Sequence, residues 1–206
     1  LMQSGLFSEM VLIDVDKDRA EGEAMDISHG ASFAGPMKIY AGGYEDVGDA
    51  AIIVITAGAN QKPNETRLDL VQKNAKIMAD VVTQIKEQEY KGILLIVSNP
   101  VDIMTQVAME VSGFPEHRVF GSGTVLDSAR LRYHLGQHLG VDSRSVHAFV
   151  IGEHGDSEIA AWSSANVSGV PLNSFCEMRG HYNHEGNTES IEDQVKNSAY
   201  EIIAKK

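Results

Sequence analysis

The sequence predicts a doubly wound α/β fold, in which helices cover both faces of a parallel sheet. Short apolar runs rich in β-branched residues predict strands that are buried on both faces. Segments with apolar residues at helical spacing alternate with these runs, which is the order of a parallel α/β sheet. The predicted strands are residues 10–15, 37–41, 51–56, 92–97, 119–120 and 146–151. The predicted helices are residues 17–29, 68–88, 101–111, about 124–139 and 190–206.

Local signals set the boundaries of these elements. The run MVLIDV ends among acidic residues, and Gly30 stops the helix that follows it. Residues 57–66 crowd Gly, Asn and Pro together, which predicts a loop before the long second helix. The run GILLIV is closed by Ser-Asn-Pro, and a Gly-Ser-Gly turn follows the short fifth strand. The last run, VHAFVI, alternates only partly, which indicates an antiparallel or partly exposed strand.

The composition limits the class of protein. Of the 206 residues, 43% are hydrophobic and 22% are charged, which is ordinary for a globular protein and argues against global disorder. No apolar run reaches the roughly 18 residues that a membrane-spanning helix needs. The net charge of −12 argues against nucleic acid as a general partner, because phosphate binding needs a basic face. The single cysteine, Cys176, excludes an internal disulfide and indicates a reducing compartment.

Both ends of the sequence lack the usual boundary signals. The first residues, LMQSGLFSEM, do not form a secretory signal, and the final helical pattern runs to Lys206 without a stop signal. We therefore expect the sequence to be a fragment of a longer chain.

Residues at the carboxyl ends of the predicted strands are the first candidates for a ligand site. The motif G-x-G-x-x-G of dinucleotide-binding folds does not occur, and the turn at residues 121–123 matches it only in part. Asp14 ends the first predicted strand, where the acid that binds the adenosine ribose of NAD would lie. An acid after a strand is also a common helix cap. If Asp14 is the ribose acid, the glycine loop would lie roughly 20 residues upstream, before Leu1.

A second group of polar residues suits acid–base chemistry on an anionic substrate. His154 follows the last predicted strand, and an imidazole exchanges protons near neutral pH. Asp127 and Asp156 are both candidates for the carboxylate that orients it. Arg130 lies on nearly the same helical face as Asp127, and would form a local ion pair or clamp a substrate carboxylate. Arg67 begins a long helix, where a cation is unfavourable for the helix dipole, and the loop before it could close over a substrate.

Five ordered segments carry a family resemblance. They are VLIDV, ITAGANQKPNETRLDLVQKN, IVSNPVD, GSGTVLDSARLR and VIGEHGDSE, and they cover nearly the whole chain. Together they resemble the lactate/malate dehydrogenase family, on its bacterial, fructose-bisphosphate-activated lactate branch. The resemblance implies a Rossmann-like NAD-binding domain in residues 1–121, without its first strand and glycine loop, and the start of an α+β catalytic domain in residues 122–206. It also implies NADH-dependent reduction of pyruvate to L-lactate, the last step of fermentative glycolysis, by a cytoplasmic homotetramer.

The resemblance further implies roles for individual residues. His154 would be the proton donor and acceptor, Asp127 its orienting partner, and Arg130 the residue that binds the substrate carboxylate. Arg67 would polarise the substrate carbonyl, and Asn99 would contact the substrate and the nicotinamide side of the cofactor. The implied NAD contacts are Asp14, Arg19, Tyr44, Gly58, Ala59, Val97, Ser98, Asn99 and Ser122.

Two further matches bear on specificity and regulation. Gln61 stands where malate dehydrogenases of the family carry an arginine that pairs with a second carboxylate. A neutral glutamine leaves that carboxylate unpaired, so Gln61 favours pyruvate over oxaloacetate. Arg132 and His147 match the positions at which bacterial members bind fructose 1,6-bisphosphate at a subunit interface.

Other functions stay open on the sequence. One alternative is a malate or other 2-hydroxyacid dehydrogenase, and another is an inactive fragment that keeps the fold without binding a cofactor. A hydrolase is disfavoured, because no G-x-S-x-G motif occurs near a His/Asp pair. No metal site is expected, since His181 and His184 have no companion cysteine pair.

Overall fold

We describe residues 1–59 and 67–206 of a computed structural model, with residue 67 described by its backbone alone. The strands are β1 (Glu9–Leu12), β2 (Lys38–Ala41), β3 (Ile52–Ile55), β4 (Ile93–Ile96), β5 (Val119–Gly121), β6 (Val146–His147), β7 (Val150–Ile151), β8 (Ile159–Ala160), β9 (Asn166–Val167) and β10 (Val170–Pro171). The helices are α1 (Lys17–His29), α2 (Arg67–Glu87), α3 (Val101–Ser112), α4 (Val125–Leu139), α5 (Leu172–Met178) and α6 (His184–Ala204).

The chain divides into two compact units. The first consists of Leu1–Leu95 and Gln106–Phe120, and the second of Ile96–Thr105 and Gly121–Lys206. No helix in the described ranges is long and apolar enough to cross a membrane.

The first unit has the strand and helix order that the sequence predicts. β1 and β2 pair in parallel, and α1 packs against both. A second sheet has the strand order β3-β4-β5. α1 begins where predicted because the Asp16 side chain accepts the Arg19 N–H (3.1 Å) and caps the helix. α2 buries Met78, Val82 and Ile85, which share one helical face.

The second unit packs helices against small antiparallel sheets. α4 lies against α6, β6 and β7. β9 pairs with both β6 and β10 in one sheet, and β7 pairs with β8 in another. The buried core of this unit is Leu131, Leu135, Leu139, Val146, Ala148, Val150, Ala160, Ala165, Val167, Leu172, Cys176, Ile191 and Val195.

The segment 146–151 is two strands and not the single strand that its alternation predicts. Val146 pairs with β9, whereas Val150 pairs with β8. The antiparallel pairing itself is confirmed. A helical turn separates β8 from β9, so neither strand can pair along all of residues 146–151. The pairing changes from β9 to β8 where the Phe149 carbonyl accepts the Ala161 N–H (2.8 Å).

Helix α6 begins at His184 rather than at residue 190. The Asn183 side chain accepts the Gly186 N–H (3.4 Å) and acts as the N-terminal cap. The first buried apolar residue of α6 is Ile191, so the hydrophobic pattern marks the packed part of the helix and not its exposed first turns. The sequence pattern does not predict α5, which is too short to show a helical period.

Candidate active site

The start of α4 is fixed to β7, the strand that leads into the His154 loop. Thr124 donates its hydroxyl to the Val150 carbonyl (2.6 Å). The Ser128 hydroxyl, which is buried, accepts the Val150 N–H (2.9 Å). Asp127 lies between these two residues in the sequence, so the contacts that hold α4 to β7 also position the Asp127 carboxylate.

A second contact holds the His154 loop from another element. The His154 N–H donates to Oδ2 of Asp102 (3.0 Å), which lies in the first turn of α3. The loop leaves β7 through Gly152, whose φ of 95° is a conformation that side-chain-bearing residues rarely adopt. The backbone of His154 is therefore positioned by a hydrogen bond as well as by the turn itself.

His154 and Asp127 form the central pair of the site. Nδ1 of His154 lies 2.6 Å from Oδ2 of Asp127, the distance of a charge-assisted hydrogen bond. Of the two carboxylates that the sequence leaves open, the structure brings Asp127 to the imidazole. A carboxylate on Nδ1 fixes the ring tautomer and stabilises the imidazolium, so Nε2 is the nitrogen that can exchange a proton with a ligand.

Arg130 completes a charged triad with this pair. Its Nη1 donates to Oδ1 of Asp127 (3.0 Å), the other carboxylate oxygen from the one that faces His154. The local ion pair that the spacing predicts is thus present. A guanidinium has five N–H donors, so the contact with Asp127 is compatible with additional hydrogen bonds to a bound carboxylate.

A small cavity opens beside these residues. Its volume is about 110 Å³, which corresponds to a few water molecules and is enough for a small acid. A larger hollow of about 500 Å³ follows the outer face of α6 alone and contains no group of the triad. The small cavity is lined by Asp127, Arg130, His154, Gly155, Asp156, Glu158, Lys196, Ala199 and Tyr200.

Glu158 is a buried acid of this cavity that sequence reasoning missed. It is 5% exposed, and burial raises the pKa of its carboxyl to about 7, with a further increase from the charge and hydrogen bond of Asp127. His154 and Lys196 act in the opposite direction on this pKa. No sequence signal marks it, because its burial depends on the packing around Asp127 and on the alternation in which Glu158 and Ala160 are buried while Ile159 is exposed.

The cluster is better described as a hydrogen-bonded relay than as a metal site. The nearest side-chain atoms of Asp127, His154 and Glu158 lie within 4.8 Å of one another, a spacing that a cation could also use. The 2.6 Å contact between His154 and Asp127, however, places a shared proton between the two groups. The Arg130 guanidinium on the same carboxylate would repel a cation.

The residues implied to bind the adenosine end of NAD lie in the first unit. Asp14 is exposed just past the end of β1, and its Oδ1 accepts the Asp16 N–H (2.9 Å). Arg19 is exposed in the first turn of α1, and Tyr44 is half-buried. Gly58 and Ala59 follow β3, and the Ala59 N–H donates to the Asn74 side chain (2.8 Å).

The other implied NAD contacts lie in the second unit or at its edge. Val97, Ser98 and Asn99 connect the end of β4 to α3, the helix that carries Asp102. The Ser122 N–H donates to the Ile96 carbonyl (2.8 Å), which holds the turn before α4 against the end of β4.

Three implied site residues need separate mention. Gln61 and the side chain of Arg67 lie outside the described residues. Arg132 donates its Nε to the Ala148 carbonyl (3.2 Å), so its side chain lies beside the strand that carries His147.

Comparison with known families matches both halves of the chain. Residues 1–121 match the family described as lactate/malate dehydrogenase, NAD binding domain. Residues 124–206 match the family described as lactate/malate dehydrogenase, alpha/beta C-terminal domain. The predicted fold class is confirmed by these matches.

Individual relatives are similar over the whole length of the chain. An L-lactate dehydrogenase of Acetivibrio thermocellus is 50% identical over 206 residues, which are 100% of this chain and 65% of the relative. One of a Thermoanaerobacter species is 52% identical, again over all of this chain and 66% of the relative. The chain thus spans about two thirds of the length of these curated relatives.

Solved structures give the same result. A lactate dehydrogenase from a Medee basin deep-sea metagenome library superimposes with a TM-score of 0.95 at 48% identity, covering 100% of this chain and 65% of that chain. The ligand-bound minor L-lactate dehydrogenase of Enterococcus mundtii gives a TM-score of 0.94 at 44% identity, covering 98% of this chain and 65% of that chain. The chain belongs to the lactate/malate dehydrogenase family.

Proposed function

We propose that the protein that contains this chain is an L-lactate dehydrogenase, which reduces pyruvate to L-lactate with NADH and catalyses the reverse reaction. The observation that carries the proposal is the His154–Asp127–Arg130 triad beside a cavity sized for a small acid. Relatives named L-lactate dehydrogenase at about half identity support the choice of reaction.

The triad divides the chemistry between its members. Arg130 binds the substrate carboxylate, because a guanidinium pairs with a carboxylate through parallel N–H bonds. His154 donates its Nε2 proton to the substrate oxygen as that oxygen gains negative charge during reduction. Asp127 stabilises the imidazolium before the transfer and holds the neutral ring in place after it. Arg67 is proposed to polarise the carbonyl, and Asn99 to contact the substrate.

NAD is the proposed cofactor, and when bound it supplies or accepts the hydride. The acceptor group at the end of β1 fits its adenosine end, because an exposed carboxylate such as that of Asp14 can accept hydrogen bonds from two ribose hydroxyls. We assign the cofactor domain to residues 1–121 and the start of the catalytic domain to residues 122–206. The proposed contacts with NAD are Asp14, Arg19, Tyr44, Gly58, Ala59, Val97, Ser98, Asn99 and Ser122.

A two-substrate assay tests the proposed reaction. NADH oxidation is measured with pyruvate and with oxaloacetate, for the protein with Gln61 and for Gln61→Arg. We expect pyruvate to be preferred, and the variant to shift the kcat/KM ratio toward oxaloacetate by about ten- to hundredfold, because the arginine pairs the second carboxylate. Preference for oxaloacetate in the unmodified protein would make it a malate dehydrogenase. Absence of turnover with either acid would leave a family member without this activity.

Regulation by fructose 1,6-bisphosphate is proposed at Arg132 and His147. The Arg132 side chain is held beside β6, the strand that carries His147, through the Ala148 carbonyl, and its guanidinium lies over the Phe149 ring (5.1 Å). A sugar bisphosphate bridging two subunits there would favour a homotetramer that works in cytoplasmic glycolysis. Titration with the bisphosphate should lower the KM for pyruvate and raise the assembly state, and Arg132→Ala should abolish both effects.

A further inference from the structure

Glu158 is the one buried carboxyl group lining the small cavity that the proposed proton transfer does not use. It directly precedes β8 and is 5% exposed, and its nearest carboxyl oxygen lies within 4.8 Å of the corresponding atoms of Asp127 and His154. It is within hydrogen-bonding reach of the Asp127 carboxyl. Two carboxyl groups in such contact can share a hydrogen bond only if one of them holds a proton.

The charged groups around Glu158 decide which carboxyl keeps the proton. Asp127 has two hydrogen-bond donors, since the charged guanidinium of Arg130 occupies Oδ1 and the imidazole of His154 occupies Oδ2. The cation on the α6 side of Glu158 is Lys196, but this lysine also pairs with Glu192 (3.3 Å), so its charge is shared.

The remaining titratable groups in the cavity lining do not change this balance. Asp156 is exposed, and its charge adds to the repulsion that Glu158 would meet as a carboxylate. Tyr200 contributes a phenol hydroxyl, which can both donate and accept a hydrogen bond. Glu158 is thus the buried acid with the weaker compensation, and the proton belongs to it.

We propose that Glu158 is a positioning residue that, in its protonated form, donates its O–H to the Asp127 carboxylate. This inference rests on the proposed dehydrogenase function. The donated hydrogen bond fixes Asp127 for its contact with His154 and leaves one negative charge, not two, beside the imidazole.

The arrangement changes when Glu158 loses its proton at higher pH. A second negative charge then lies near His154 and attracts the positive charge of the imidazolium that donates the proton to pyruvate, in addition to the attraction by Asp127. Glu158→Gln keeps an N–H donor for Asp127 but cannot ionise. We expect kcat/KM for pyruvate in this variant to fall relative to the unmodified protein as the pH rises, by at least about fivefold near about pH 9, which is the effect of one unit charge at this distance in the dielectric of water.

Infrared difference spectroscopy tests the proton directly. We expect the chain to show the carbonyl band of a neutral carboxylic acid that disappears as the pH is raised through the neutral range. The band should shift when the chain carries carboxyl-¹³C-glutamate, which assigns it to a glutamic acid without any substitution. It should vanish in Glu158→Gln and persist in Glu153→Gln, a matched change at an exposed position of the same loop.

The two readouts separate the inference from the proposed function. Absence of a titrating glutamic acid band in the unmodified chain, or its persistence in Glu158→Gln, would overturn the role of Glu158 whatever the enzyme turns over. Presence of the band without NADH-dependent reduction of pyruvate would overturn the function and leave the protonated pair in place. An unchanged alkaline limb of the pyruvate pH–rate profile in Glu158→Gln contradicts the coupling to His154.

Discussion

The cluster of Asp127, Arg130 and His154 in the second unit and the strand-end residues of the first unit are built in opposite ways. Asp127 is 2% exposed, and side chains or backbone from α3, α4 and the His154 loop are joined around it by hydrogen bonds. Asp14 lies on the surface and bonds to the backbone two residues further on. The cluster around Asp127 is organised before any ligand binds. The strand-end residues of the first unit instead offer polar groups whose contribution depends on a bound ligand.

Burial explains the difference. Charges in a low-dielectric environment interact strongly, so they must be paired and held in fixed geometry, as Asp127 is by His154 and Arg130. A carboxylate in water, such as that of Asp14, needs no partner until a ligand replaces its hydration. Changes in the cluster should therefore alter the rate of the chemical step, and changes at the strand ends should alter cofactor affinity.

The largest effect is expected from His154→Gln. Loss of the proton donor should lower kcat for pyruvate reduction by about 10²- to 10⁴-fold, while the affinity for NADH changes little. Steady-state kinetics and a cofactor titration measure the two effects separately. His117→Gln, an exposed histidine of the first unit, is the matched control and should behave as the unmodified protein. A His154→Gln enzyme with an ordinary rate would remove His154 from the mechanism.

Asp14→Ala tests the other side of the comparison. Removal of the carboxylate should raise the Kd for NADH by about ten- to hundredfold, because hydrogen bonds to a charged acceptor are lost, and leave kcat at saturating cofactor unchanged. Quenching of the Trp162 fluorescence by NADH provides the measurement. Asp18→Ala, in the first turn of α1, serves as the control for a lost surface charge. Equal affinities in the two variants would mean that Asp14 is only part of the turn before α1.

Ser128→Ala should weaken the support of the cluster without removing a charged group. The hydroxyl accepts the buried Val150 N–H, and its loss leaves that donor unsatisfied at a cost of about 1–3 kcal/mol in the free energy of unfolding. Urea denaturation measures the change. Ser164→Ala, whose hydroxyl bonds to the Ala161 carbonyl at an exposed position, should cost less. Equal destabilisation by the two substitutions contradicts a special role for the contact between α4 and β7.

Sequence patterns predict well what is local. The helix at residues 17–29 is confirmed at both ends, because the Asp16 cap and the Gly30 stop act within one turn of it. The position of Asp14 at a strand end and the spacing of Asp127 and Arg130 on one helical face are likewise visible in the sequence. These features depend on neighbours a few residues away.

Sequence patterns do not predict the contacts between segments that are distant in the chain. The choice of Asp127 over Asp156, the bond from Asp102 to the His154 backbone and the burial of Glu158 each join residues far apart in the chain. The division of residues 146–151 between two sheets has the same cause, because strand partners are set by where β8 and β9 lie and not by the alternation of the segment.

A pH dependence of folding distinguishes Glu158 from an exposed acid. The pKa of Glu158 is raised from its ordinary 4.5 to about 7, so between these values the folded chain holds a proton that the unfolded chain has lost. The free energy of unfolding should therefore fall as the pH rises through this window. In Glu158→Gln this decrease should be absent, and the variant should gain stability relative to the unmodified chain as the pH rises.

Asp142 supplies the contrast, because its exposed carboxylate binds Arg144 and its pKa is lowered from 3.8 to about 2. As the pH falls, the unfolded chain protonates Asp142 before the folded chain does. The stabilising contribution of the Asp142 carboxylate is therefore present at neutral pH and is lost as the pH falls through this lower window. Asp142→Asn should thus lower the free energy of unfolding at neutral pH and remove its fall in the acidic range, where the curves of the variant and the unmodified chain converge. Urea denaturation at a series of pH values measures both variants. Parallel curves for Glu158→Gln and the unmodified chain through the neutral range would mean that the Glu158 carboxyl is ionised and hydrated in the folded chain, and that the cluster around Asp127 is open to water as the end of β1 is.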